Sequence, residues 1–137
     1  MSQAAYYAVK NITLAAAQGL LSVGIQAALE QNAAVSIAVV DRAGQLAAFA
    51  KMDAAPPVSV SVAQGKARTA AAIRDSSALF EQMINQGATA MLSVPDLVPL
   101  TGGLPLWADG EIIGAVGVSG SSGEGDLRLA ERIAAAL

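Results

Sequence analysis

Residues 36–53, SIAVVDRAGQLAAFAKMD, decide how this chain folds. Val35, Ile37, Val39 and Val40 bring the β-branched side chains that suit a pleated surface. Asp41 to Gly44 supplies turn chemistry with Gly44 free to take φ > 0, and Leu46 to Met52 runs back. The stretch predicts a β-hairpin, and an apolar hairpin of this kind must be covered by the rest of the chain.

Upstream, residues 1–11 form a leader, predicted partly helical through Tyr6, Tyr7 and Val9. With Thr13 as N-cap, Leu14, Ala17, Leu21, Ile25 and Ala28 fall at helical spacing and predict a first helix ending near Asn32. Downstream, Pro56 and Pro57 cannot extend a paired central strand, so residues 54–58 read as a loop. Residues 59–74 resume a helical period, with Val60, Ala63, Ala67, Ala70 and Ala71 on one face. At about 100° per residue Lys66 falls on the shoulder of that face and Arg68 points roughly away from it. So many alanines let the helix approach the sheet, or a partner, closely. Ser76 or Ser77 caps a third helix over 78–85, closed by Gly87.

Residues 88–103 hold Pro95, Pro99 and Gly102-Gly103 without a sustained period, and read as a long surface loop of the length that often carries function. Asp109-Gly110, between residues 104–108 and 111–119, is the strongest short hairpin signal in the chain. Gly114 and Gly117 mark a close backbone approach or a bend. Leu127, Ala130, Ala134 and Leu137 then form the stripe of a C-terminal helix. The order α-β-β-α-α-β-β-α with two tight hairpins predicts an α+β fold, an antiparallel sheet with helices packed on it, as a single domain over residues 1–137.

Composition bounds the function. Hydrophobic residues make up 54% of the chain and charged residues 14%, against about 25% charged in a typical domain. Few charges keep copies apart, so a homo-oligomer is expected. The apolar windows are short or broken by Gln, Gly and Glu, below the roughly 20 residues of a membrane helix, so the expectation is a soluble protein without a membrane partner. The leader lacks a secretory pattern, which makes the cytoplasm the expected location. A net charge of −3 with scattered basic residues argues against nucleic acid. With no Cys and no His, thiol nucleophiles, Cys/His zinc sites, Ser-His-Asp triads and imidazole-ligated haem are excluded; a general base would be Asp, Glu, Lys or Tyr.

Within those bounds, 117–123 (GVSGSSG) sits where a strand hands over to a helix. Free N–H groups and the helix dipole there suit a carboxylate or phosphate, or else the glycines only turn the chain while Ser122 or Asp126 supports the helix start. Asp41, Lys51, Asp53 and Lys66 are charges set in apolar segments. A lysine near carboxylates at a sheet–helix junction suits binding or acid–base work, which makes Lys66 and Asp41 the candidate catalytic pair. Asp41 also suits bonding its own turn backbone, and Lys51 and Asp53 suit a solvated strand end. Gly102 and Gly103 let backbone come close to a ligand or a strand, and Trp107 reads as core or interface packing. The candidate ligand-binding set is therefore Lys66, Gly102, Gly103, Gly117, Ser119 and Gly120, with no metal site.

NITLAAAQ at 11–18, SIAVVDRAGQL at 36–46, AKMDAA at 50–55, the Ser59, Gly65-Lys66-Ala67, Thr69-Ala70 pattern, GGLPL at 102–106 and GEIIGAVGVSGSSGEGD at 110–126 together resemble the GlcG/HbpS family. That family takes in the C-terminal domain of PduO-type proteins and OrfY-like proteins. The resemblance covers nearly everything after Ile12, although the segment between Ser76 and Leu100 departs from the usual pattern. It implies a profilin-like antiparallel sheet with helices on it and homo-oligomers, often octamers. Roles in the family vary, with haem or corrinoid binding among them, so function transfers poorly from fold. Haem as cofactor is implied by the resemblance and opposed by the absence of His and Cys.

Three functions follow as expectations. The first is an accessory protein of a catabolic pathway that binds a small anionic metabolite or cofactor through Lys66, the Gly102-Gly103 loop and the Gly117–Gly120 turn. The second is a cofactor-free isomerase, hydratase or lyase using Lys66 and an Asp. The third is a haem or corrinoid binder, which a hydrophobic slot with Met52 or Tyr facing inward would favour.

Overall fold

A computed structural model describes residues 3–137. Helix α1 (Leu14–Glu30) starts at Thr13, whose hydroxyl accepts the Ala16 N–H at 3.1 Å. The first hairpin follows as β1 (Ser36–Asp41) and β2 (Leu46–Lys51). Then come α2 (Ser59–Ile73), α3 (Ser77–Asn85), a 3₁₀ turn over Thr89–Ser93, the second hairpin β3 (Gly103–Ala108) and β4 (Glu111–Ser119), and α4 (Gly123–Ala135). All pairings are antiparallel in the order β2-β1-β4-β3, so the two hairpins join through their inner strands, with Ser36 opposite both Lys51 and Ser119. This is the α+β architecture expected from the element order.

The inner strand β1 is buried on both faces, which explains its unbroken apolar run. Ile37 and Val39 point to one face and pack with Leu20, Ala27, Leu129 and Ile133 of α1 and α4. Ala38 and Val40 point to the other and meet Ala63, Ala67, Ala70 and Ala71 of α2. Each fully buried Ile, Leu or Val contributes about 1.5–3 kcal/mol. The first face is therefore held by large side chains, and the α2 face by small ones at short range.

Glycines set that short range. A methyl group on Gly117 would collide with the Ala63 carbonyl and lie 2.5 Å from the Ala67 nitrogen, and one on Gly103 would collide with the Lys66 carbonyl. Strand and helix backbones thus touch directly. The outer side of α2 is covered too, because the segment 94–102 is tied across it. Thr69 Oγ accepts the Val98 N–H at 2.8 Å, Arg68 Nε donates to the Asp96 carbonyl at 3.0 Å, and Ser77 Oγ donates to the Leu100 carbonyl at 2.6 Å. Ala63, Ala67, Ala70 and Ala71 of α2 are covered by the sheet, and the loop lies over Gly65 and Thr69, while Ala72 stays exposed.

The leader is not helical, which corrects the expectation for Tyr6, Tyr7 and Val9; Met1 and Ser2 lie outside the described residues. Thr13 caps α1 from an extended conformation (φ −83°, ψ 156°), and the Ile12 N–H donates to the Ile113 carbonyl at 2.9 Å. A helix as short as the leader allows is marginal in water without an apolar face to dock. Lys10 reaches Asp109 at 3.3 Å and Glu111 at 3.5 Å, and Asn11 accepts the Arg42 N–H at 2.8 Å. Asp109, with Glu111 beside it, holds the Lys10 ammonium above its ordinary pKa. Among the described residues no helix is long and apolar enough to cross a membrane.

Candidate functional site

One end of the sheet gathers the start of β1, the ends of β2 and β4, the start of β3 and the first turn of α4. Lys66, Gly102, Gly103, Gly117, Ser119 and Gly120 all come to this end. Asp41 does not: it pairs with Gly114, five residues along β1 from Ser36, about 16 Å at 3.3 Å per residue. Its carboxylate accepts the Ala43 and Gln45 N–H groups at 2.9 and 3.0 Å. Asp41 therefore holds its own turn and is not a proton-transfer partner of Lys66.

The carboxylate that meets Lys66 is Asp126. Lys66 Nζ donates to Asp126 Oδ2 at 3.0 Å and to the Val118 carbonyl at 2.9 Å, and the two residues are only 4% and 3% exposed. The other carboxylate oxygen accepts the Ser121 N–H at 2.9 Å, while Ser122 Oγ accepts the Gly125 N–H at 3.0 Å. The helix N-terminus that attracts an anion is thus served by the chain's own carboxylate. This corrects the expected anion site of Lys66 and the Gly117–Gly120 turn, because the Lys66 charge is paired with Asp126 and shut away. The glycines correct the same picture. A methyl on Gly102 would lie 2.7 Å from the Val118 carbonyl, and one on Gly120 would lie 2.5 Å from the Ala34 carbonyl, so both residues close a packed joint with no opening for a ligand.

Open space lies beside that joint. A groove of about 350 Å³ is lined by Leu29 and Asn32 at the end of α1, Ala33 and Ala34 leading into β1, and Met52, Asp53 and Ala54 leaving β2. Its walls are mostly apolar. Met52 is fixed there, with its N–H donating to the Val35 carbonyl at 3.0 Å and its sulfur accepting the Val35 N–H at 3.5 Å. Lys51 stands at the rim, donating to the Met52 and Asp53 carbonyls at 3.2 and 3.4 Å while remaining exposed. Of these residues the sequence reading had singled out Met52, Asp53 and Lys51. Leu29, Asn32, Ala33, Ala34 and Ala54 carry no chemical signal in sequence, and only the packing of α1 beside β2 brings them together.

Trp107 is not in the core; it is 55% exposed on β3. Arg68, expected to point away from the buried face of α2, is half-buried under its bond to Asp96.

Residues 12–135 match the family model described as haem degrading protein HbpS-like. Protein GlcG of Escherichia coli (strain K12) is 45% identical over 103 residues, spanning 75% of this chain and 77% of GlcG. The crystal structure of Klebsiella pneumoniae protein ORFY is similar with a TM-score of 0.93 at 31% identity, covering 100% of this chain and 99% of that one. The crystal structure of a PduOC:heme complex is similar with a TM-score of 0.84 at 27% identity, covering 93% of this chain and 95% of that one.

Proposed function

We propose, from the premise that this chain belongs to the HbpS-like family, that it is a small-molecule-binding accessory protein of a catabolic pathway, working as a homo-oligomer. Its ligand lies in the groove between the end of α1 and the end of β2. The observation that carries this reading is an apolar groove bounded by Leu29, Ala33, Met52 and Ala54, with Asp53 in its wall and the exposed Lys51 ammonium beside it, bonded to the Met52 and Asp53 carbonyls. That arrangement suits a small amphipathic ligand, an apolar body with an anionic end, and follows the usual plan of a concave apolar site with a few polar groups. Catalysis by Lys66 is disfavoured, since a base or acid must come within hydrogen-bond reach of its substrate and Lys66 is enclosed by Asp126 and Val118.

Haem, held by the PduOC relative, does not fit the donor set. The chain has no His or Cys, the Met52 sulfur already takes the Val35 N–H, Met83 and Met91 lie on α3 and the 3₁₀ turn outside the groove lining, and Tyr6 and Tyr7 stand on the leader, which is anchored at the hairpin-turn end of the sheet. A haemin titration is expected to give a weak, non-stoichiometric spectral change, whereas a sharp Soret band saturating at one haem per chain would show that the iron finds a ligand here.

An anionic apolar fluorophore, anilinonaphthalene sulfonate, tests the groove. Wild-type protein should bind about one per chain. Ala54→Trp, at an exposed wall position, should abolish that binding without unfolding the chain, and Lys51→Ala should weaken it about two- to fivefold, as for an exposed ion pair. Binding unchanged in both variants would place the ligand elsewhere, with the 88–103 loop the next place to look.

A further inference from the structure

The leader is a second feature that neither the groove nor the buried pair uses. Its base is fixed at the turn of the second hairpin by Lys10 to Asp109 and Glu111, and by the Ile12 N–H to the Ile113 carbonyl. Beyond that base, residues 3–9 (QAAYYAV) carry no charge, and Tyr6 and Tyr7 are 83% and 82% exposed. An uncharged apolar strip standing in water is at odds with the ordinary fate of large aromatic side chains. A few residues from its base, Trp107 is 55% exposed on β3, an outer strand of the sheet.

We infer that the leader of one copy lies along the β3 edge of a second copy, with Tyr6 and Tyr7 against the partner's Trp107, in a reciprocal exchange about a two-fold axis. This deepens the homo-oligomer part of the reading above and rests on it. The symmetry follows from placement: the base of the leader and the patch it seeks are neighbours on one chain, because Trp107 precedes Asp109 by two positions and Asp109 binds Lys10. A two-fold axis beside them lets both leaders land at once, which is the self-complementary arrangement of an isologous dimer. The area is sufficient. Aromatic side chains bury roughly 150–250 Å² each, so two such tyrosines per leader, two leaders and the matching partner surface come to at most roughly 1,200–2,000 Å², the range of a stable interface. Nucleic acid is a poor alternative occupant, since residues 3–9 offer no cation.

Two measurements test it. Light scattering at about 1 µM compares wild type with Tyr6→Ser/Tyr7→Ser, with far-UV circular dichroism reporting that the variant is folded. Removing two central aromatic anchors should weaken this interface at least about a hundredfold and lower the assembly mass. The chain has no cysteine of its own, so a chain bearing Tyr7→Cys can be mixed with a size-tagged chain bearing Trp107→Cys. A disulfide joining the two differently sized chains is the expected product. A wild-type oligomer whose mass the tyrosine variant leaves unchanged, or a failure of the mixed chains to cross-link, overturns the exchange while leaving the oligomer standing. A monomeric wild type overturns both.

Discussion

Gly117→Ala should be the most damaging conservative change in the chain, lowering stability by about 4 kcal/mol or more and the melting temperature by roughly 12–16 °C. The added methyl would meet the Ala67 nitrogen at 2.5 Å and the Ala67 Cβ at 3.0 Å, and would collide with the Ala63 carbonyl. Two of those three atoms are backbone in the middle of α2, so no side chain can swing aside. The helix must lift off the sheet instead, loosening its contacts with Ala38, Val40 and Ala115 and pulling Lys66 away from Asp126. Ordinary overpacking costs about 1–3 kcal/mol because side chains absorb part of it; here the helix backbone has no such freedom. Gly19→Ala is the matched control. It lies in α1 with nothing within 4 Å of the new methyl, so helix propensity alone should stabilise the chain by about 0.5–1 kcal/mol. Thermal melts of the two variants decide the matter, and a Gly117→Ala chain melting within about 3 °C of wild type would mean that α2 is not seated on β4 as described.

Lys66→Ala comes next. It leaves the Asp126 carboxylate buried with the Ser121 N–H as its remaining partner and leaves the Val118 carbonyl without its ammonium. Removing one member of a buried pair costs about 3–5 kcal/mol, since the other charge stays desolvated and uncompensated. A fall of roughly 10–18 °C in melting temperature is expected. The pair replaced together, Lys66→Met with Asp126→Leu, should recover most of the loss, because the charges attract each other only about as strongly as their burial costs. Arg68→Ala, which removes one hydrogen bond from a half-buried side chain to Asp96, should cost about 1 kcal/mol or less. If Lys66→Ala kept its melting temperature and lost fluorophore binding instead, Lys66 would face a ligand and not Asp126.

Both predictions concern residues whose importance is visible in sequence while their role is not. Lys66 stands out as a charge in an alanine-rich helix, and a reading along the chain pairs it with Asp41 or Asp53. Its partner is sixty positions away in α4. Gly117 can be read as a mark of close backbone approach, but nothing near it in sequence says that Ala63 and Ala67 are what it approaches. The glycines at 102, 103 and 120 suit a ligand cradle just as well as a packed joint, and the difference lies entirely in what stands opposite them.

Both hairpins, the cap at Thr13 and the apolar faces of the helices are legible in the sequence alone, and the caps of α3 and α4 are narrowed to Ser76 or Ser77 and to Ser122 or Asp126, because turn dihedrals, cap hydrogen bonds and residue periodicity are set within a few positions along the chain. That the hairpins join through β1 and β4, that Asp126 pairs with Lys66, that the leader stands extended and that Leu29, Ala34 and Met52 enclose a groove follows from the three-dimensional packing alone. Those outcomes depend on which surfaces meet across tens of residues, where burial and desolvation outweigh any local preference.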